Sequence, residues 1–145
     1  MHLALQEAQK AIDHGEVPIG CVIVDATTGE VVATAHNEVE SNPCATAHAE
    51  MLAIERACAL LKTPRLTSCD IYVTLEPCPM CATAISFARL RRVYFGAYDP
   101  KGGGIEHGPR VYESSSCFHK ADVMGGIEEE ACSKILVEFF KGLRD

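Results

Sequence analysis

The sequence predicts an α/β fold: a three-layer α/β/α sandwich around a mixed sheet of roughly five strands. Three observations carry this. Short apolar runs at Ile19 to Val24, Val31 to Ala35, Ile71 to Leu75 and Val93 to Ala97 alternate with longer segments of helical spacing. Turn residues from Asp25 to Gly29 join the first two runs as a hairpin. The third and fourth runs flank a helical segment, and strand, helix, strand in that order predicts a right-handed crossover between parallel strands. With 145 residues and no repeat, low-complexity stretch or linker, residues 1–145 are expected to form a single domain.

Each element has a local reason. Leu5, Ala8 and Ile12 show helical spacing from about Leu3 to His14, and Gly15 ends that segment. Thr46 is the expected N-cap of a second helix running to about Leu61, with Leu52, Ala53, Ala57 and Leu60 on its apolar side. After Ile71 to Leu75 the chain enters Pro77-Cys78-Pro79, where Cys78 is placed to cap a third helix and Pro79 to occupy its first turn. That helix carries Ile85, Phe87 and Ala88. Lys101 to His119, rich in Gly, Ser and charge, is expected to be a long loop with some local structure, and such loops are often functional. A brief strand near Ala121 to Val123 follows. From Ile127 an amphipathic helix is expected to present Ala131, Ile135, Leu136, Phe139 and Phe140 on one face.

Composition narrows the function classes. The longest apolar run, around Ile19 to Val24, is far too short to span a bilayer, so no membrane role is expected. Met1-His2-Leu3-Ala4 lacks the pattern of a signal peptide, and a cytoplasmic location is expected. A formal net charge of −7 argues against a general nucleic-acid coat protein, which gains affinity by neutralising phosphates. It leaves room for a small basic face gripping one RNA loop. Arg89, Arg91 and Arg92 cluster, and Lys101, Lys120, Lys141 and Arg144 can join them; scattered solvated charges are the alternative. Of the eight cysteines, Cys21, Cys58, Cys69 and Cys132 sit in apolar contexts and are expected to be buried thiols. Cys44, four residues before His48, is a spare metal ligand if one is needed.

The chemistry lies in His48-Ala49-Glu50 and Pro77-Cys78-Pro79-Met80-Cys81. Together they spell the H-x-E…P-C-x-x-C signature of zinc-dependent nucleobase deaminases. His48, Cys78 and Cys81 supply three ligands for one Zn2+ per chain, and Glu50 is a carboxylate outside the ligand set. That is the make-up of a catalytic zinc site, since a closed structural site takes a fourth protein ligand. Cys78 and Cys81, at i and i+3 of a helix start, point to one side. Helix N-termini at Thr46 and Cys78 favour thiolate, the form that binds metal. The second of these begins just past the carboxyl end of a strand, where open α/β sheets place their ligands. His48 and Glu50 lie roughly 200° apart around a helix, so one can hold the metal while the other approaches its water from beside. Zinc lowers the pKa of bound water to about 7, and a nearby carboxylate can take the proton and pass it on. Read alone, either motif has a blander meaning: a decorated helix terminus, or a redox or structural Cys-x-x-Cys. Their occurrence together on two predicted helix starts favours the catalytic reading.

Thr46-Ala47-His48-Ala49-Glu50, the run Tyr72-Val73-Thr74-Leu75-Glu76-Pro77-Cys78-Pro79-Met80-Cys81-Ala82, and Phe95-Gly96-Ala97-Tyr98-Asp99 resemble the bacterial tRNA-specific adenosine deaminases of the cytidine deaminase-like superfamily. Gly15-Glu16-Val17-Pro18-Ile19-Gly20 and Glu138-Phe139-Phe140 extend the likeness over nearly the whole chain. The resemblance implies a cytidine deaminase-like fold and a zinc hydrolase that converts adenosine to inosine at the wobble position of a tRNA anticodon. In such an enzyme hydroxide generated at the zinc attacks C6, Glu50 shuttles protons, and ammonia leaves. The resemblance also implies a homodimer that takes a tRNA anticodon loop. By position it makes Asn37 a ligand of the target base, turns the main-chain N–H of Ala49 to the base or water, and draws Tyr98, Asp99 and Phe139 into substrate contact.

Neighbouring families share the metal motif. Free-cytidine deaminases usually show Cys where this chain has His48, and guanine deaminases usually carry Cys where Leu75 stands. A deaminase of a free base or nucleotide, such as guanine or deoxycytidylate, is the alternative, and a zinc-stabilised RNA-binding module closed by Cys44 is a further one. Phe118-His119-Lys120 stands where Asn-His-Arg is usual, and Tyr98 where Arg is common, so the loop from Ile105 to His119 departs from the family pattern. Tyr98 is placed either to stack on a base or to pack half-buried. His107 and His119 are expected to be surface or hydrogen-bonded histidines rather than ligands.

Overall fold

A computed structural model describes residues 1–144. The elements are α1 His2–Asp13, β1 Gly20–Asp25, β2 Val31–His36, α2 Ala49–Leu61, β3 Cys69–Leu75, α3 Pro79–Phe87, β4 Arg92–Ala97, β5 Asp122–Met124 and α4 Glu129–Arg144, with one 3-10 turn at Val111–Glu113. The strands form a five-stranded sheet in the order β2-β1-β3-β4-β5. β1 pairs antiparallel with β2 and β3, whereas β3–β4 and β4–β5 are parallel. The expected mixed sheet, hairpin and parallel crossover are all present.

Strand alternation sorts the side chains into two layers. Cys21, Ile23, Ala33, Ala35, Ile71, Val73, Val93 and Phe95 face α2 and α3, which answer with Ala49, Ala53, Ala57, Ala82 and Ile85. The opposite face carries α1 and α4 at very short range. A Cβ on Gly20 would overlap the Ala4 carbonyl and come within 2.6 Å of the Ala8 nitrogen. One on Gly96 would overlap Cys132 Sγ and lie 2.7 Å from its Cβ. Glycine at these two strand positions lets both helices sit directly on the sheet.

Four local expectations are corrected. The N-cap of α2 is His48, not Thr46, because the helix starts only at Ala49. Leu60 is 63% exposed, since the buried stripe of α2 is Ala49, Glu50, Ala53 and Ala57. In α1 the buried face is Ala4, Glu7, Ala8 and Ala11, with Leu5 and Ile12 at its margins, because close approach to Gly20 selects the small side chains. On α4, Cys132 is the buried residue and Ile135, Leu136 and Phe139 are half-buried beside it, while Ala131 and Phe140 turn outward. Cys21, Cys69 and Cys132 are buried as expected, and Cys58 is half-buried. No described helix is long and apolar enough to cross a membrane.

Candidate active site

Two helix starts meet beyond the carboxyl end of β3. Cys78 is the N-cap of α3 with extended backbone (φ −69°, ψ 171°), and Pro79 follows at N1, where a missing N–H costs nothing. His48 caps α2 in the same extended conformation (φ −71°, ψ 152°). The ligating atoms of His48, Cys78 and Cys81 all lie within 4.8 Å of one another. His48 Nδ1 is 3.6 Å from Cys78 Sγ and 3.5 Å from Cys81 Sγ. Cys44 stands apart from this group: it is exposed, with its Sγ 3.4 Å from Thr46 Oγ1. The donor set is therefore one imidazole nitrogen and two sulfurs, a set that fits zinc and leaves a fourth position open.

The electrostatics suit a metal. Hydrogen bonding from Cys81, aided by His48, lowers the Cys78 thiol to about 4. The hydrogen bond between the two sulfurs, together with burial, pushes Cys81 far up, and the hydrogen bond to Cys78 raises His48. Glu50, at the second position of α2, is 4% exposed, and burial with the neighbouring Cys78 charge raises it to about 7. A carboxyl group poised near neutrality is matched to taking and returning a proton.

Asn37, just past β2, is 6% exposed and accepts the Ala49 N–H on Oδ1 at 2.8 Å. This satisfies one of the first N–H groups of α2 from twelve residues upstream. The Ala49 N–H is thus paired with Asn37 in this structure. With Oδ1 engaged there, Nδ2 is the polar atom that the Asn37 side chain still has to offer.

The 98–107 loop is built around a residue that the motif reading passed over. Glu76, 2% exposed, accepts the Asp99 N–H at 3.0 Å and His107 Nδ1 at 2.8 Å on Oε1. Its Oε2 accepts the N–H groups of Ile105 (3.2 Å), Glu106 (2.9 Å) and His107 (3.2 Å). Burial alone would raise this carboxyl; the donors from Asp99, His107, Glu106 and Ile105 outweigh burial and hold it below the usual range. The signal in the sequence was an acid wedged between a buried strand and Pro77. Glu16, 1% exposed, does the same for the loop before α2, accepting the N–H groups of Glu40 and Ser41. The Asp99 carboxylate closes a turn by accepting the Gly102 N–H at 2.9 Å. Tyr98 is 40% exposed, edge-on to Phe95 and to His107.

Other expected residues are not gathered at the ligands. Phe139 lies half-buried on α4, on the opposite face of the sheet from α2 and α3, with its ring edge-on to Phe140. Arg91 is held by both oxygens of Asp70, and Arg92 leans on Tyr94 and Asp122. They stand at the start of β4, the far end from Cys78, so these two arginines do not form a basic face at the site. His119 Nε2 lies 2.7 Å from the Leu90 carbonyl, and His107 is the Glu76 partner; both are hydrogen-bonded histidines outside the ligand set.

The sequence profile described as the cytidine and deoxycytidylate deaminase zinc-binding region matches residues 1–97. The chain is 49% identical to the tRNA-specific adenosine deaminase of Agrobacterium fabrum, over 99% of this chain and 93% of that protein. It is 47% identical to the tRNA-specific adenosine deaminase of Bacillus subtilis, over 99% of this chain and 88% of that one. A solved structure from a study of A-to-I editing by tRNA:A34 deaminases superposes with a TM-score of 0.91 at 49% identity, covering 94% and 97% of the two chains. The guanine deaminase of Nitrosomonas europaea shares the fold, with a TM-score of 0.82 at 22% identity over 95% of this chain and 81% of that one. Sequence and structure thus agree that the chain belongs to the cytidine and deoxycytidylate deaminase family, among its tRNA-specific adenosine deaminases.

Proposed function

We propose that this protein hydrolyses adenosine to inosine at the wobble position of a tRNA anticodon, with one zinc ion held by His48, Cys78 and Cys81. The observation that carries the reading is the gathering of His48, Cys78 and Cys81 within 4.8 Å of one another, with the buried carboxylate of Glu50 two residues from His48. Zinc, when bound there, supplies the Lewis acidity that makes water a nucleophile near neutral pH. Glu50 takes a proton from the attacking water and delivers it to ring N1, so that C6 becomes electrophilic. It then takes the second proton from the hydroxyl added at C6 and gives it to the amino group, which leaves as ammonia as the C6–N bond breaks and the C6 carbonyl forms. Asn37 Nδ2 orients the base while Oδ1 stays on Ala49. A wobble base in a loop is unpaired, so bringing it to the site costs less than flipping it from a duplex.

The relatives of 38–49% identity over nearly the whole chain support adenosine in tRNA over a free base. Residues 1–145 act as one domain around one sheet. The protein works as a homodimer, and a groove of about 690 Å³ between α3 and the 109–119 segment supports this. Phe87 and Phe118, 77% and 91% exposed, line it as a surface for a second copy. Free cysteines throughout the described chain fit a reducing, cytoplasmic setting.

The test is inosine formation by the zinc-loaded protein on an anticodon stem-loop with adenosine at the wobble position, with guanine and deoxycytidylate in parallel. Inosine at that position is expected. Ammonia from a free base or nucleotide alone would leave the metal site standing and overturn the substrate. Sedimentation of wild type and Phe118→Asp tests the dimer, with a monomeric variant expected.

A further inference from the structure

We propose that His107 is a positioning residue for substrate recognition: anchored on Glu76, it sets Tyr98 so that the tyrosine ring stacks on the nucleotide flanking the edited one. This rests on the anticodon-loop reading above. Both ends of His107 are tied to one carboxylate, the ring through Nδ1 at 2.8 Å and the main chain through its N–H at 3.2 Å. The Glu76 side chain has no exposed surface, so the anchor is fixed within the fold. From there the imidazole meets the Tyr98 ring at 6.1 Å between centroids and 79° between planes.

Two further elements complete the seat. The buried Phe95 ring meets Tyr98 at 5.1 Å and 89°. Gly125 makes room for its hydroxyl end: a Cβ there would lie 2.8 Å from Tyr98 Oη. Tyr98 is therefore held by three residues and still 40% exposed. An aromatic ring fixed in advance and open to solvent is a stacking platform that loses little entropy when a base arrives. Its place in the sheet decides which base. Asn37 follows β2, and Glu50 lies on α2, which packs on β2 and β1; Tyr98 follows β4, beyond the strand that delivers Cys78. A base held by Asn37 and Glu50 leaves Tyr98 to its neighbour in the strand. His107 itself acts through Tyr98 and need not touch RNA.

The experiment uses the zinc-loaded full chain and two kinds of RNA: the intact anticodon stem-loop, and stem-loops made abasic at the nucleotide on either side of the wobble adenosine. For wild type, one abasic site is expected to raise KM about tenfold, the scale of one base–aromatic stack, with kcat unchanged. Tyr98→Ala and His107→Ala are each expected to raise KM on the intact stem-loop about as much, to keep kcat and zinc content, and to abolish the abasic penalty. Because the two act in series, the double variant should be no worse than either single one. Tyr98→Phe should keep the wild-type KM. His107→Gln, which keeps a donor for Glu76 but loses the ring, should match His107→Ala and serves if the alanine variant does not fold. Additive effects, a penalty that persists in the variants, or a fall in kcat or zinc content at unchanged KM would overturn the proposal. Editing of the intact stem-loop with no sensitivity to either abasic site would remove this inference alone. No editing of any stem-loop would remove the functional reading and this inference with it.

Discussion

Glu76→Gln tests whether one buried carboxylate holds the loop that follows β4. Oε1 accepts two donors and Oε2 accepts three, and the side chain has no exposed surface. In the amide one oxygen becomes an NH2 group, so at least two of these five contacts lose the acceptor they now have. A buried polar group left unpaired costs about 1–3 kcal/mol, which gives a loss of roughly 2–5 kcal/mol. Against a total stability on the order of 5–15 kcal/mol, that is a large share. For a chain of this size it corresponds to a fall in Tm of about 5–15 °C. Urea and thermal unfolding of zinc-loaded wild type and variant, followed by circular dichroism, measure it directly. A loss below about 0.5 kcal/mol would refute the reasoning and mean that residues 99–107 are held by other contacts.

Three other perturbations separate the parts of the site. Glu50→Gln is expected to keep zinc, checked by metal analysis, while inosine formation falls about 10²–10⁴-fold; retained turnover would remove Glu50 from proton transfer. Asn37→Asp keeps an acceptor for the Ala49 N–H but exchanges the amide donor for an acceptor. It should unfold within about 1 kcal/mol of wild type yet lose activity, whereas Asn37→Ala should also lose about 0.5–2 kcal/mol, the scale of a missing helix cap. Acid should destabilise the fold in a defined window. Glu7, Glu16 and Glu76 all sit below their ordinary value of 4.5 in the folded chain. The unfolded chain therefore binds more protons there, and their contribution is complete above pH 4.5 and lost as pH falls through the folded-state values. Stability that stayed level from pH 5 to 3 would contradict this.

Most of the fold was legible because its strands are short apolar runs and its turns carry strong local chemistry. The metal ligands were legible for the same reason: Cys78 and Pro79 begin a helix by rules that act within a few residues. What escaped depends on distant partners. The start of α2 moved from Thr46 to His48 because the cap comes from Asn37, twelve residues away. The Gly-rich segment after Asp99 reads as loose until Glu76, 23 to 31 residues earlier, gathers its N–H groups. The inner faces of α1 and α2 escaped because helices lying close to a sheet bury alanine and leave leucine at the edge, which reverses a ranking by hydrophobicity alone. Leu60 and Leu5 were misplaced by that reversal.

The boundary between β1 and β3 has a consequence for assembly. His48 arrives with the antiparallel hairpin and the helix behind it, Cys78 and Cys81 with the parallel unit of β3, α3 and β4, and the two units join along one antiparallel seam. A zinc ion bound by all three residues bolts those units together across about thirty residues of chain. Hairpin and helices can form from near neighbours, but the ligand triangle exists only once the seam has closed. Metal thus rewards a long-range step of folding, and a chelator should speed unfolding by loosening that seam.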